Sequence, residues 1–195
     1  GGKPGENLTP IDIVKFSAAY GSIIAEGKHK KKVVIGRDGR ISGAMVQNLV
    51  VNTLVGLGID IVDLELSTTP TVEVAVKMEG ADGGIILTAS HNPKEWNALK
   101  LLNSEGEFIS AEIGAKVLQL AADENFSFAP VDKLGTVTVD DSYMQKHIDA
   151  IINYPLVNKK AIVKQDYRVV VDAVNSTGAT FVPALLHALG VNDVI

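Results

Sequence analysis

The chain has 195 residues, 46% hydrophobic and 21% charged, with no cysteine and a formal net charge of −5. The missing cysteines exclude disulfides and zinc–thiolate centres, and the negative balance argues against a protein that grips nucleic acid by its phosphates. No apolar run approaches the roughly 20 residues that a bilayer crossing needs, so the expectation is a soluble, cytoplasmic protein with no membrane partner.

The length suits one domain with part of another. Thr9 followed by Pro10 is a cap and the residue best tolerated in a first helical turn, and Ile11, Val14, Phe16, Ala18, Ile23 and Ile24 supply an apolar stripe for a first helix reaching Gly27. The basic run Lys28, Lys30, Lys31 and Lys32 reads as a solvated edge, with anion binding as the sharper alternative. KVVIG, residues 32–36, is a short buried strand. The glycine-rich turn RDGRISG then leads into a helix over residues 44–57, stopped by Gly58.

The unit repeats. IDIVDLEL, residues 59–66, is a second strand, Thr69 and Pro70 open a helix that Gly80 ends, and GGIILTAS, residues 83–90, is a third strand. ALKLL follows, with NSEG as a turn and EFIS behind it. A helix over residues 111–122, a looser stretch over 124–141 and a helix over 142–152 complete the first unit. Strand alternating with helix implies an α/β fold with a mainly parallel sheet sandwiched by helices.

After Tyr154 and Pro155 the pattern restarts, because DYRVVVDAVNSTGATFVPALLHALGV has the grammar of KKVVIGRDGRISGAMVQNLVVNTLVGLGI. Residues 1–154 therefore read as one domain, and 155–195 as the first strand and helix of a second, similar one.

Ligands of open parallel sheets sit beyond the carboxyl ends of the strands. At such an end an apolar run breaks into Thr88, Ala89, Ser90, His91, Asn92 and Pro93, where proline removes an amide donor and restricts the residue before it. A turn held by its own side chains would explain these polar residues equally well. The wording is more specific. TASHNP, followed by Asn97 and Lys100, resembles the active-site signature of the α-D-phosphohexomutases, the group of phosphoglucomutase, phosphomannomutase and phosphoglucosamine mutase. GRDGRISG, STTPTVE and VDAVNSTG are similar to family patterns in the same order.

This resemblance implies a four-domain parent, of which the chain is the first domain and the start of the second. It implies that Ser90 carries a transferable phosphate and, through it, Mg2+, with glucose 1,6-bisphosphate or a similar compound as activator. It makes Lys100 the general acid or base, has His91 orient or hydrogen-bond the phosphoserine or substrate, and lets Asn92 shape the loop. The implied reaction moves phosphate between the 1 and 6 positions of a hexose or hexosamine phosphate through a sugar bisphosphate. Its partners would be the sugar phosphate, the remaining domains and a possible second copy in a homodimer. The family's aspartate-rich metal loop is not in these residues, so this piece alone is expected not to turn over, and a glycine of the family motif is Ala98 here.

Other readings compete with this one. A non-catalytic sugar-phosphate-binding protein of the same fold is the main rival. A Ser-His hydrolase is disfavoured because neighbours in an extended segment point to opposite sides and no G-x-S-x-G elbow surrounds Ser90. GRDGRISG matches no nucleotide fingerprint, so it reads as a tight turn, with Arg37 and Arg40 as candidates to face a phosphate. His29, His91, His147 and His187 show no paired metal spacing. Trp96 packs the loop or borders a sugar.

Overall fold

The structure is a computed structural model that describes residues 1–27 and 31–195. Lys28 and Lys30 of the basic run lie outside them. Of the other two, Lys31 pairs with Asp82 at 3.3 Å and Lys32 with Glu79 at 2.8 Å.

Helix α1 (Pro10–Ile24) begins as its sequence predicts. The Thr9 hydroxyl accepts the Asp12 N–H at 3.2 Å, while the Asp12 carboxylate accepts the Thr9 N–H at 2.7 Å. These bonds hold the Asp12 carboxyl below its ordinary range. The buried stripe is Ile13, Ser17, Ala18, Ala19, Tyr20 and Gly21, whereas Ile11 is 66% exposed. A helical turn of 3.6 residues puts positions 13, 17 and 20 on one face and leaves 11 off it.

Strand β1 (Lys32–Arg37), helix α2 (Gly43–Gly56), strand β2 (Asp60–Leu66), helix α3 (Thr69–Met78) and strand β3 (Gly83–Leu87) follow as expected. Strand β4 (Leu99–Leu102) turns back antiparallel to β3, with Ile86 opposite Lys100. After helix α4 (Ala111–Asp123) comes a three-residue strand, β5 (Val137–Val139), inside the stretch read as loose. The sheet order is β4-β3-β1-β2-β5, with every pair parallel except β3–β4. This is the expected α/β sheet, mixed rather than wholly parallel.

Side chains alternate across β1 and sort the core into two layers. Val33 and Ile35 join Ile13, Tyr20, Val50, Leu54 and Val117 on the side of α1, α2 and α4. Val34 joins Val72, Val76, Ile86 and Tyr143 on the side of α3 and helix α5 (Tyr143–Ile152). Burying each such aliphatic side chain stabilises the fold by about 1.5–3 kcal/mol, which fixes the sheet firmly enough to hold a loop at its edge.

Beyond α5, a short helix α6 (Lys159–Lys164) precedes strand β6 (Arg168–Val169), helix α7 (Gly178–Leu189) and strand β7 (Asp193–Val194). β6 and β7 pair in parallel as a separate two-stranded sheet. The strand expected to open residues 155–195 is two residues long, and a second short strand lies beside it. The α7 region packs on α5, where the rings of His147 and Phe181 lie 5.0 Å apart.

Candidate active site

The third strand stops at Leu87, three residues earlier than its sequence suggests, because residues 88–98 leave the sheet as a loop before β4. The loop is closed at its base by the Thr88 N–H donating to the Ala98 carbonyl at 3.1 Å, and across its tip by the Asn92 and Trp96 N–H groups donating to Ala89 and Pro93. Ser90 is exposed on it and adopts φ 57°, a left-handed conformation that costs a residue with a Cβ about 1–2 kcal/mol. Ala98 is not among the residues with positive φ, so alanine is accommodated there without backbone strain.

The neighbours of Ser90 impose that bend. Its N–H donates to Thr88 Oγ1 at 3.0 Å, and Thr88 Oγ1 donates in turn to Asp38 Oδ2 at 2.6 Å. Asp38 stands just past β1, where its N–H donates to the Leu87 carbonyl at 3.1 Å. Asn92 Nδ2 donates to the Ala89 carbonyl at 2.9 Å. Asn97 is fully buried, with Nδ2 donating to Ser42 Oγ at 3.0 Å and its backbone paired with Gly2.

Because Ser90 is left-handed, the chain is not extended at this point, and the geometric objection to a Ser90–His91 contact fails. His91 Nδ1 lies 3.4 Å from Ser90 Oγ, a long approach on the exposed side. Among the described residues the His91 ring hydrogen-bonds to no carboxylate.

Lys100 projects from β4 and borders the same open cleft as Thr88, Ser90, Asn92, Trp96 and Asn97. Its ammonium lies 5.8 Å from the centroid of the Phe108 ring. Nearby Glu73, on α3, has its carboxyl pushed up by burial, an effect that the Lys100 charge partly offsets.

The two arginines of the glycine-rich turn face the protein. Arg37 Nε donates to Gln47 Oε1 at 2.6 Å, and Gln47 Nε2 donates to both oxygens of the buried Asp63. Arg40 donates from Nε to Asp38 and from its two terminal nitrogens to the carbonyls of Ser90, Asn92, Pro93 and Trp96. The roles of Thr88, Asp38 and Arg40 were missed in the sequence. The one available signal was that the D-x-R turn and the serine loop both sit at the carboxyl ends of strands.

Among the described residues no three His, Asp or Glu side chains are grouped to hold a metal ion. Asp38, the acid that borders the loop from the turn after β1, is already engaged by Thr88 and Arg40.

A family model described as "Phosphoglucomutase/phosphomannomutase, alpha/beta/alpha domain I" matches residues 2–128. A curated "Phosphoglucomutase/phosphomannomutase" of Thermococcus kodakarensis is 37% identical over 186 residues, 95% of this chain and 40% of the relative. A "Phosphoglucosamine/phosphogalactosamine mutase" of Sulfurisphaera tokodaii is 33% identical over 186 residues, again 95% and 40% of the two chains. The chain thus spans about two fifths of the length of these relatives. In fold it is similar to a putative phosphomannomutase from Thermus thermophilus, with a TM-score of 0.83 at 24% identity over 99% of this chain and 43% of that one. With the serine loop at the end of β3 and the family's first-domain model covering most of the sheet that carries it, the chain belongs to the phosphoglucomutase/phosphomannomutase family.

Proposed function

We propose that these residues are the amino-terminal part of a phosphohexomutase that interconverts hexose or hexosamine 1-phosphate and 6-phosphate. Residues 1–154 form its first domain and 155–195 begin its second, a division supported by the separate β6–β7 sheet. The observation that carries the functional reading is the exposed, left-handed Ser90 at the tip of a loop anchored to β1 and β3. A hydroxyl held outward in this way can form a phosphate ester and can meet a substrate in line.

In this reading the sugar hydroxyl attacks the phosphorus on Ser90 and the new P–O bond forms as the bond to Oγ breaks, the Lys100 side chain taking the hydroxyl proton as the neutral amine and the departing Oγ taking a proton from solvent or the His91 ring. His91 hydrogen-bonds the phosphate or the departing oxygen, supported by its 3.4 Å approach. The resulting sugar bisphosphate reverses in the site and returns its other phosphate to Ser90. Mg2+, when bound to that phosphate and to acidic residues outside this chain, would supply neutralisation of charge on the transferring group. The 195 residues alone would not turn over.

The test is an assay of the full-length protein on glucose, mannose and glucosamine phosphates, with Ser90→Ala beside it. Loss of activity and of phosphate incorporation in the variant is expected, and equal activity of both proteins would remove the mechanism. Sugar-phosphate binding without turnover by the intact wild-type protein would favour the non-catalytic rival.

A further inference from the structure

The Arg40 guanidinium has five N–H donors, of which the loop takes up four and Asp38 the fifth. Nε bonds to Asp38 Oδ2 at 3.0 Å, Nη1 to the carbonyls of Pro93 at 2.7 Å and Trp96 at 3.0 Å, and Nη2 to those of Ser90 at 2.8 Å and Asn92 at 2.9 Å. Asp38 Oδ1 fixes the same residue from behind by accepting its backbone N–H at 3.0 Å. The side chain is nearly buried and its charge is balanced by Asp38. Four carbonyls of one exposed loop thus converge on one planar cation reaching across from the β1–α2 turn.

No peptide bond of the described chain is cis. In a planar trans peptide the C=O and N–H point in opposite directions. Carbonyls of Ser90 and Pro93 drawn inward to Arg40 therefore turn the N–H groups of His91 and Lys94 outward. Among the described residues no acceptor meets either of those N–H groups. Ser90, the residue before His91, is left-handed, while between the two outward amides the Asn92 N–H is bonded to the Ala89 carbonyl and Pro93 has none to give.

We infer that Arg40 is a positioning residue that orients the peptide dipoles of the serine loop, carbonyls inward and the His91 and Lys94 amides outward, so that the loop backbone forms the cradle for the phosphate on Ser90. The inference rests on the phosphoserine reading of Ser90. A lysine offers three donors in no fixed plane and cannot hold four carbonyls and a carboxylate at once. Arg40 acts through the loop and is not itself a phosphate ligand, since no N–H remains to give.

Two measurements test this, on Arg40→Lys and on Arg40→Ala with guanidinium chloride added below denaturing concentration. The first is hydrogen exchange of residues 88–98 in the 195-residue chain, which needs no phosphate. Faster exchange in Arg40→Lys is expected there, with unchanged exchange in β1 and β3, and partial recovery in Arg40→Ala when guanidinium is present. The second uses the full-length protein phosphorylated with glucose 1,6-bisphosphate and titrated by phosphorus NMR. Losing the outward amides removes hydrogen bonds to the dianion, so its second pKa should rise by about one unit in Arg40→Lys. The rate of phosphate transfer to Ser90 should fall on the order of 10²-fold. Unchanged loop exchange, or an unchanged titration with faster exchange, overturns the cradle while leaving a phosphorylated Ser90 intact. If wild-type Ser90 takes no phosphate, the functional reading fails instead, and loop exchange alone decides the role of Arg40.

Discussion

The Thr88 hydroxyl donates to the Asp38 carboxylate across 2.6 Å, joining the end of β3 to the turn after β1 through side chains alone. Its oxygen also receives the Ser90 N–H, so one hydroxyl both anchors the loop and sets its first bend. Thr88→Val keeps the shape and removes both bonds, leaving the half-buried Asp38 carboxylate with Arg40 but without its hydroxyl partner and the Ser90 amide without an acceptor. A loss of about 1–3 kcal/mol in stability is expected. Urea unfolding of the variant, with Thr88→Ser as the control that should restore most of it, checks the value.

Ser90 carries backbone strain that the bonds of its neighbours hold in place. Glycine adopts φ 57° without the Cβ penalty, although it loses more freedom on folding. Ser90→Gly should therefore leave the chain as stable as wild type or more stable by up to about 1 kcal/mol. Ser90→Ala, which retains the Cβ, should show no such gain. Thermal or urea unfolding of both variants separates the two, and a clear loss in Ser90→Gly would show that the hydroxyl supports the loop.

His147, on α5, shares a hydrogen bond of 2.9 Å with the Thr71 hydroxyl on α3 and lies against Phe181 of α7. Burial lowers its pKa from the ordinary 6.5, so the folded chain prefers the neutral ring. The unfolded chain then takes up a proton first as pH falls. The contribution of His147 to stability is full above 6.5 and is lost as pH drops from there through the lowered folded value. Between about pH 7 and 5.5, above the carboxylate range, His147→Gln should flatten the fall in unfolding free energy. An identical slope in both proteins would assign the dependence to other groups.

How much of this was legible in the sequence depends on which atoms carry each feature. The strands β1, β2 and β3 announced themselves because their side chains are buried in both layers, as Val33, Val34, Ile61 and Ile86 show. β5 did not, because Val137 and Val139 are exposed and the strand is held by backbone pairing with Ile61 and Asp63. Ser90 and Lys100 were found through the wording of the loop, and they do border one cleft. The restraint on Ser90 was hidden for a different reason. Arg40 recognises four carbonyls, and carbonyls leave no trace in residue identity. The bend itself was misjudged as extended because serine rarely adopts positive φ, so only the neighbours that force it could have revealed it.

Beneath the site, the Tyr20 hydroxyl shares its one proton between the carbonyls of Leu102 at 2.6 Å and Gly84 at 3.0 Å, tying α1 to both strands that bear the loop. Burial pushes this phenol's pKa upward, so it stays a donor across the ordinary pH range. A Cβ at Gly83 would collide with that hydroxyl, and would lie 2.7 Å from Ile24 Cδ1 and 2.8 Å from the Leu102 carbonyl. Gly83→Ala should thus cost about 1–3 kcal/mol by overpacking, and Tyr20→Phe a similar amount by loss of its bonds. Made together they should cost less than the sum, by about 0.5 kcal/mol or more, because the phenylalanine ring withdraws the oxygen that the new methyl strikes. A double-mutant cycle in urea measures the difference. Strict additivity would mean that the Leu102 carbonyl, which neither substitution moves, sets the limit at Gly83.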